Sequence, residues 1–142
     1  MNILHVLTSR RKLGNFGEDA AARFLRRKRY KVMERNYVGK RGEIDMIAQR
    51  KNLLAFVEVK TRSVGVNGIY ESRPASAVDS AKQRRLISIA NEYARRTHKE
   101  DGCRMRMDVI EVYTEKVNDK LKIKKIVHIE NAFDMNSAYR MY

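Results

Sequence analysis

The stretch that decides the fold is GEIDMIAQRKNLLAFVEVKTR, residues 42–62. Residues 43–50 and 53–61 carry strand-type apolar patterning, and Lys51 with Asn52 between them suits a two-residue hairpin turn. That turn pairs Arg50 with Leu53. The same register then sets Asp45 opposite Glu58, and Glu43 opposite Lys60. Strict alternation puts Glu58 and Lys60 on one face of their strand, with Val57 and Val59 on the other. Two carboxylates about 5 Å apart repel by roughly 3 kcal/mol at an effective dielectric of about 20. Lys60 supplies one positive charge against the three acids Glu43, Asp45 and Glu58. A divalent hard cation held by oxygen ligands balances such a site. A solvated sheet face bridged by Lys60 is the alternative, and the hairpin alone leaves it open.

Charge supplies the second strand of the reading. The chain has 142 residues, which suits one domain over residues 1–142 with a modest core. Residues 1–12 are expected to form a flexible basic arm. Lys and Arg number 31 against 17 acids, a formal charge of +14. Self-repulsion of this size opposes the compact state, so it points to a polyanionic partner. Nucleic acid is the first candidate. A membrane surface is the second, but neither a lipidation signal nor a long basic amphipathic tail supports it. No run approaches the roughly 18 apolar residues of a membrane span. In MNILHVLTSRRK the apolar run precedes the basic cluster, the wrong order for a secretory signal. Cys103 is the single cysteine and cannot form an internal disulfide, so a cytoplasmic location is expected.

Along the chain, a first helix is expected over residues 16–28, with Ala20, Ala21, Phe24 and Leu25 on its apolar side. Asn15 and Glu18 have the spacing of a capping box. Residues 30–37 read as a strand leading into the hairpin. Residues 62–75 lack periodicity and include Gly65, Gly68 and the only proline, Pro74, which predicts a loop of the kind that is often functional or mobile. A second helix is expected over residues 77–96, with Ser76 as cap and Asp79 three positions on. Val78, Leu86, Ile89, Ala90 and Tyr93 form its core stripe, and Lys82 lies on that stripe one turn before Leu86. Strands follow over residues 105–113 and 121–129, joined by a turn at Asn118 and Asp119. The order predicts an α/β sandwich, a central mixed sheet of about five strands flanked by helices.

Several motifs resemble one family. The run G-x-x-G-E-D-A-A from Gly14 to Ala21, RNY at Arg35 to Tyr37, GEID at Gly42 to Asp45 and FVEVKTR at Phe56 to Arg62 resemble the YraN-like family of bacterial proteins. KQRRL from Lys82, MDVIEV around Asp108 and HIENAF from His128 to Phe133 extend the likeness over nearly the whole chain. That family is similar to the PD-(D/E)XK nuclease superfamily and, in its core, to archaeal Holliday-junction resolvases. The resemblance implies a restriction-endonuclease-like three-layer sandwich. It implies Glu18 as the helix glutamate, Asp45 as the hairpin aspartate, and Glu58 and Lys60 as the E-x-K pair. Lys82 matches the basic residue that often follows on the next helix. The proline usual before the aspartate is Ile44 here, which faces away from the ligand set.

Phosphodiester hydrolysis needs an activated water and charge stabilisation on the phosphate. Carboxylate-held Mg2+ or Mn2+ provides both. Asp45 and Glu58 are the expected metal ligands, joined by the carbonyl of Val59. Lys60 would orient water or stabilise developing charge. Glu18 has helix capping as its competing role, and Glu43 reads better as an ion-pair partner of Lys60 than as a ligand. Asp108, in an apolar strand, reads as structural. His5, His98, His128 and Cys103 are too scattered for a zinc site. No P-loop or dinucleotide fingerprint is present, so no nucleotide cofactor is expected.

Basic residues cluster at positions 10–12, 23–31, 82–85 and 95–96. Arg26, Arg27, Arg62, Lys82, Arg84 and Arg85 are the expected nucleic-acid contacts, with phosphate-driven and salt-sensitive binding. Tyr30, Tyr37 and Tyr70 could stack on bases, although packing is the commoner role. The expected function is a metal-dependent endonuclease on DNA, with branched DNA suggested only by the resolvase likeness, and with a homodimer to match symmetric junctions. The rival is a non-catalytic nucleic-acid-binding module of nuclease fold, a partner in repair or recombination. An RNA-directed enzyme is a third reading.

Overall fold

Apolar residues on the hairpin strands face two ways, and each face has its own helix. In the computed structural model, which describes residues 3–63 and 78–135 with side chains from residue 13 on, the elements are α1 (Ile3–Arg27), β1 (Lys31–Gly39), β2 (Gly42–Arg50), β3 (Leu53–Ser63), α2 (Ser80–Arg96), β4 (Arg104–Val117) and β5 (Lys120–Phe133). The five strands form one sheet in the order β1-β2-β3-β4-β5. β3 and β4 run parallel and the other neighbours antiparallel. α2 lies in the long crossover that a parallel pair requires. This is the α/β three-layer sandwich expected from the sequence, with a mixed sheet between helices.

On one face, Leu54 and Phe56 of β3 and Ile44 and Ile47 of β2 pack with Leu86, Ile89 and Tyr93 of α2. On the other, Met46, Ala48, Ala55 and Val57 pack with Ala20, Ala21 and Leu25 of α1. A fully buried Leu, Ile, Val or Phe contributes roughly 1.5–3 kcal/mol. An exposed ion pair such as Arg35–Asp19 contributes about 1 kcal/mol at most. The frame is therefore set by the two apolar clusters.

α1 sits close to β3 because of one glycine. Gly17 is buried, and a Cβ there would overlap the side chain of Thr61. This close approach is what brings the next residue, Glu18, to the sheet.

Several boundaries differ from expectation. α1 starts at Ile3, so the described part of the expected arm is helical backbone. Nothing in residues 3–13 breaks a helix, and the glycine at 14 costs only about 1 kcal/mol relative to alanine. Asn15 and Glu18 are consequently mid-helix, and their expected capping box does not form. α2 begins at Ser80 with Asp79 as its cap, the Asp79 carboxylate accepting from the Lys82 N–H. Ser76, the expected cap, and residues 64–75 of the expected loop lie outside the described residues. β4 and β5 are longer than expected, and the turn joining them places Asn118 and Asp119 at φ 51 and 62. Two successive left-handed residues match the right-handed twist of a hairpin. Among the described residues no helix is long and apolar enough to cross a membrane.

Candidate active site

The β2–β3 ladder follows the expected register from Arg50 and Leu53 to Met46 and Val57, then stops. Alternation would next bond Val59 to the backbone of Ile44. Instead the Val59 N–H donates to Oδ2 of Asp45 at 2.8 Å. A carboxylate has taken the place of a backbone carbonyl, and the strands part around it.

The same point breaks the alternation of β2. Ile44 and Ile47, three positions apart, both pack on the α2 side, while Met46 and Ala48 face α1. On β1 the pairs Arg35–Met46 and Tyr37–Ile44 flank the break, leaving Asn36 beside Asp45. Asn36 has φ 52, a left-handed conformation that asparagine tolerates better than most residues. Its Nδ2 donates to Oε2 of Glu18 at 3.2 Å. Arg35 donates to Asp19 at 2.7 Å and stands 3.9 Å from Glu18.

Asp45 opens onto a cleft of about 270 Å³ on the α1 side, lined also by Leu13, Gly14, Glu18, Val59 and Thr61. Glu58 turns toward α2, where Nζ of Lys82 donates to its Oε1 at 2.6 Å. Asp45 and Glu58 act on each other electrostatically at the strand gap. Burial, then the charge of Glu58, then that of Glu18, pushes the Asp45 carboxyl up to about 7 against the opposing Val59 N–H and Lys82. Lys60 is half-buried on the Glu58 face. Burial first and Arg62 second lower its pKa, with Glu58 and Glu111 opposing.

Among the described residues no three acidic, histidine or cysteine side chains converge on one point as a ready metal site. The reason is visible in the partners. Glu58 holds Lys82, Glu18 holds Asn36, and Asp45 holds the Val59 N–H. The donor set still suits a hard cation, because all its atoms are oxygens and burial, with the charges of Glu58 and Glu18, raises the Asp45 carboxyl. The ammonium of Lys82 is the positive charge already in place.

The other expected residues are spread more widely. Arg26 and Arg27 are exposed in the last turn of α1, and Arg85 is exposed on α2. Lys82 and Arg85 line a further cleft with Arg41 and Glu43. Arg84 is half-buried. Arg62 makes a largely buried ion pair with Glu111 at 2.7 Å. One expectation is corrected. Glu43 does not face Lys60: it pairs with Val38 on β1, whereas Lys60 pairs with Glu111 on β4, because β2 and β3 have already parted. Tyr30 and Tyr37 are buried, in the packing role that was the commoner reading for them. Tyr30 accepts a bond from Arg106 at 2.8 Å, and Tyr37 packs edge-on to Tyr93. Tyr70 lies outside the described residues.

Sequence reasoning missed Asn36, whose signal was an asparagine inside a strand, where that residue is depleted. It also missed a buried polar cluster behind the sheet. Asp108 is fully buried and accepts from Arg106 twice at 2.7 Å, from the Asn131 N–H at 3.0 Å and from Nε2 of His128 at 2.8 Å. Nδ1 of His128 lies 3.0 Å from Nζ of Lys28. Nδ1 therefore accepts, and the Nε2–H donates to Asp108. Burial works to raise the Asp108 carboxyl, but these bonds together hold it below its ordinary value. Asp108 is structural, as its strand context suggested.

The model of a family described as "Uncharacterised protein family UPF0102" matches residues 17–112, a span that takes in Glu18, Asn36, Asp45, Glu58, Lys60 and Lys82. UPF0102 protein TTE1452 of Caldanaerobacter subterraneus subsp. tengcongensis is 41% identical over 125 residues, 88% of this chain and 97% of that protein. A UPF0102 protein of Caldicellulosiruptor saccharolyticus is 39% identical over 125 residues, 88% of this chain and 99% of its own length. UPF0102 protein FP2501 of Flavobacterium psychrophilum is 40% identical over 121 residues, 85% of this chain and 92% of that protein. With sequence likeness running from the buried glycine of α1 through the strand gap and into β4, the chain belongs to the UPF0102 family, the YraN family that its motifs resemble.

Proposed function

We propose that this protein is a metal-dependent endonuclease that hydrolyses phosphodiester bonds in DNA. The observation that carries this reading is the strand gap. There the Asp45 carboxyl is bonded to the Val59 N–H and held up to about 7 by burial and by Glu58 and Glu18. Asp45, Glu58 and the Val59 carbonyl would hold Mg2+ or Mn2+. Bound there, such an ion supplies a water of lowered pKa and polarises a phosphoryl oxygen.

The remaining roles fall to the chain's own groups. Lys60, on the Glu58 face, stabilises charge developing on the phosphate. Its lowered pKa also favours proton exchange with the attacking water. Glu18, held by Asn36, keeps a further negative charge beside Asp45. Lys82 neutralises Glu58 in the resting arrangement, and its ammonium would be available to a phosphate if a divalent ion were held by Glu58. Arg26, Arg27 and Arg85 are exposed to meet the backbone of the substrate, with Arg84 and Arg62 nearer the protein interior. Branched DNA as the substrate, and a symmetric homodimer to bind it, extend this reading.

A non-catalytic binding module has one observation in its favour: each carboxylate of the site already has a partner within the protein. The two readings separate when purified protein meets linear, nicked, single-stranded and four-way-junction DNA, and structured RNA, with Mg2+ or Mn2+. The nuclease reading expects cleavage that Asp45→Ala and Glu58→Ala abolish while binding survives. Binding of every substrate without cleavage under either metal hands the site to the binding module. Cleavage confined to RNA reassigns the substrate.

A further inference from the structure

A second cleft, of about 460 Å³, lies at the turn end of the β2–β3 hairpin. Lys28, Arg29, Arg50, Lys51 and Arg104 line it, and among the described residues no acidic one does. Five like charges around one concavity repel one another, and a fold gains from keeping them only when an anion neutralises them. Two of the five have structural duties. Arg50 donates to the Lys28 carbonyl at 3.3 Å beyond the end of α1 and lies 4.4 Å over the Tyr30 ring, and Lys28 reaches His128. Those contacts engage the charged ends of Lys28 and Arg50 but not those of Lys51 and Arg104. The latter pair is brought together by the backbone: the Arg104 N–H donates to the Asn52 carbonyl at 2.7 Å, tying the hairpin turn to the start of β4. The rim is therefore built before any ligand arrives.

The position of the cleft indicates its ligand. From Arg50 and Leu53 to Asp45 and Glu58 is five ladder positions, roughly 17 Å at about 3.3 Å per residue. α1 gives an independent measure, since the ten residues from Glu18 to Lys28 span roughly 15 Å at about 1.5 Å each. The two clefts thus stand at opposite ends of one stretch of α1. Arg23, Arg26 and Arg27 are exposed on that stretch. These arginines place positive charge on α1 between the two clefts.

We propose that the basic cleft binds a backbone phosphate of the nucleic acid whose other end lies at Asp45 and Glu58. This rests on the nucleic-acid reading of that site and adds a second anchorage to it. The separation corresponds to about five base pairs of B-form duplex, half a helical turn. A phosphate there fixes how the duplex lies along α1 without reading its sequence.

The test uses the full chain without divalent metal, so that binding is measured apart from cleavage. Inorganic phosphate is titrated into 15N-labelled protein while the amides of Lys51, Asn52, Leu53 and Arg104 are followed. Binding of a labelled 16-base-pair duplex is measured across a salt series for wild type and for the double variant Lys51→Glu with Arg104→Glu. The proposal expects saturable shifts at those amides. It also expects at least tenfold weaker duplex binding by the double variant, with a salt slope lower by about one. Lys51→Gly, which suits the φ of 55 at that position, is the milder variant and should weaken binding severalfold. Absent shifts with unchanged duplex affinity overturn the proposal. Shifts with unchanged duplex affinity overturn its nucleic-acid part and leave a site for free phosphate. A protein that shows both expected changes yet cuts no DNA supports the cleft while the nuclease reading fails.

Discussion

Nζ of Lys82 donates to Oε1 of Glu58 at 2.6 Å, so one carboxylate of the candidate site already carries a cation supplied by α2. A divalent ion must compete with that ammonium. Replacing Lys82 by Met keeps the stem on the core stripe and removes the charge. Mn2+ should then bind more tightly, on the order of tenfold, because a repelling charge leaves the site. Calorimetric titration of both proteins checks this. Equal affinities would show that Lys82 and the metal do not share Glu58.

Asp45 makes stability fall with pH. Burial, then the charge of Glu58, pushes its carboxyl up to about 7 in the fold, against 3.8 for an ordinary exposed aspartate. Between those values the folded state keeps a proton that the unfolded chain has released, so stability declines from about pH 4 to pH 7 and stays lower above it. Asp45→Asn removes the ionisation while leaving an acceptor for the Val59 N–H. Without metal the variant should be more stable than wild type at pH 8, by on the order of 2–4 kcal/mol, and equal to it at pH 3.5. Denaturant titrations at the two pH values read the difference, and a destabilised variant at pH 8 is the contrary result.

Gly17 sets the distance between α1 and β3. Gly17→Ala adds helix propensity but drives a methyl group into Thr61, so overpacking wins and stability drops by about 1–3 kcal/mol. The double variant Gly17→Ala with Thr61→Ala should recover most of that loss. Thermal unfolding of the pair decides, and a stabilised single variant would mean that α1 moves away freely.

Asn36 couples backbone conformation to the site. At φ 52, Asn36→Gly retains the turn of the chain but loses the bond to Glu18, whereas Asn36→Ala loses both. Ala should therefore unfold more easily than Gly, by about 1–2 kcal/mol. Identical midpoints would contradict left-handed strain at this position.

Periodicity made most of the fold legible. The stripe from Leu86 to Tyr93 and the turn at Lys51–Asn52 stand where alternation and turn chemistry place them. The start of α1 was hidden, because residues 3–13 carry no start signal of their own and the Asn15–Glu18 spacing imitates one. Within the site, Asp45 and Glu58 were recognisable as a pair, yet extrapolating their register past Met46 misplaced Glu43. A side chain took over a ladder bond there, and strand periodicity contains no term for that. Asn36 and the His128–Asp108 bond depend on long-range contacts that spacing in one sequence does not encode.

Anomalous diffraction from crystals soaked in MnCl2 tests the central claim most directly. The account predicts a manganese peak bonded to the Asp45 and Glu58 carboxylates, with Lys82 withdrawn from Glu58. Manganese bound only elsewhere, with Lys82 still on Glu58, would contradict it.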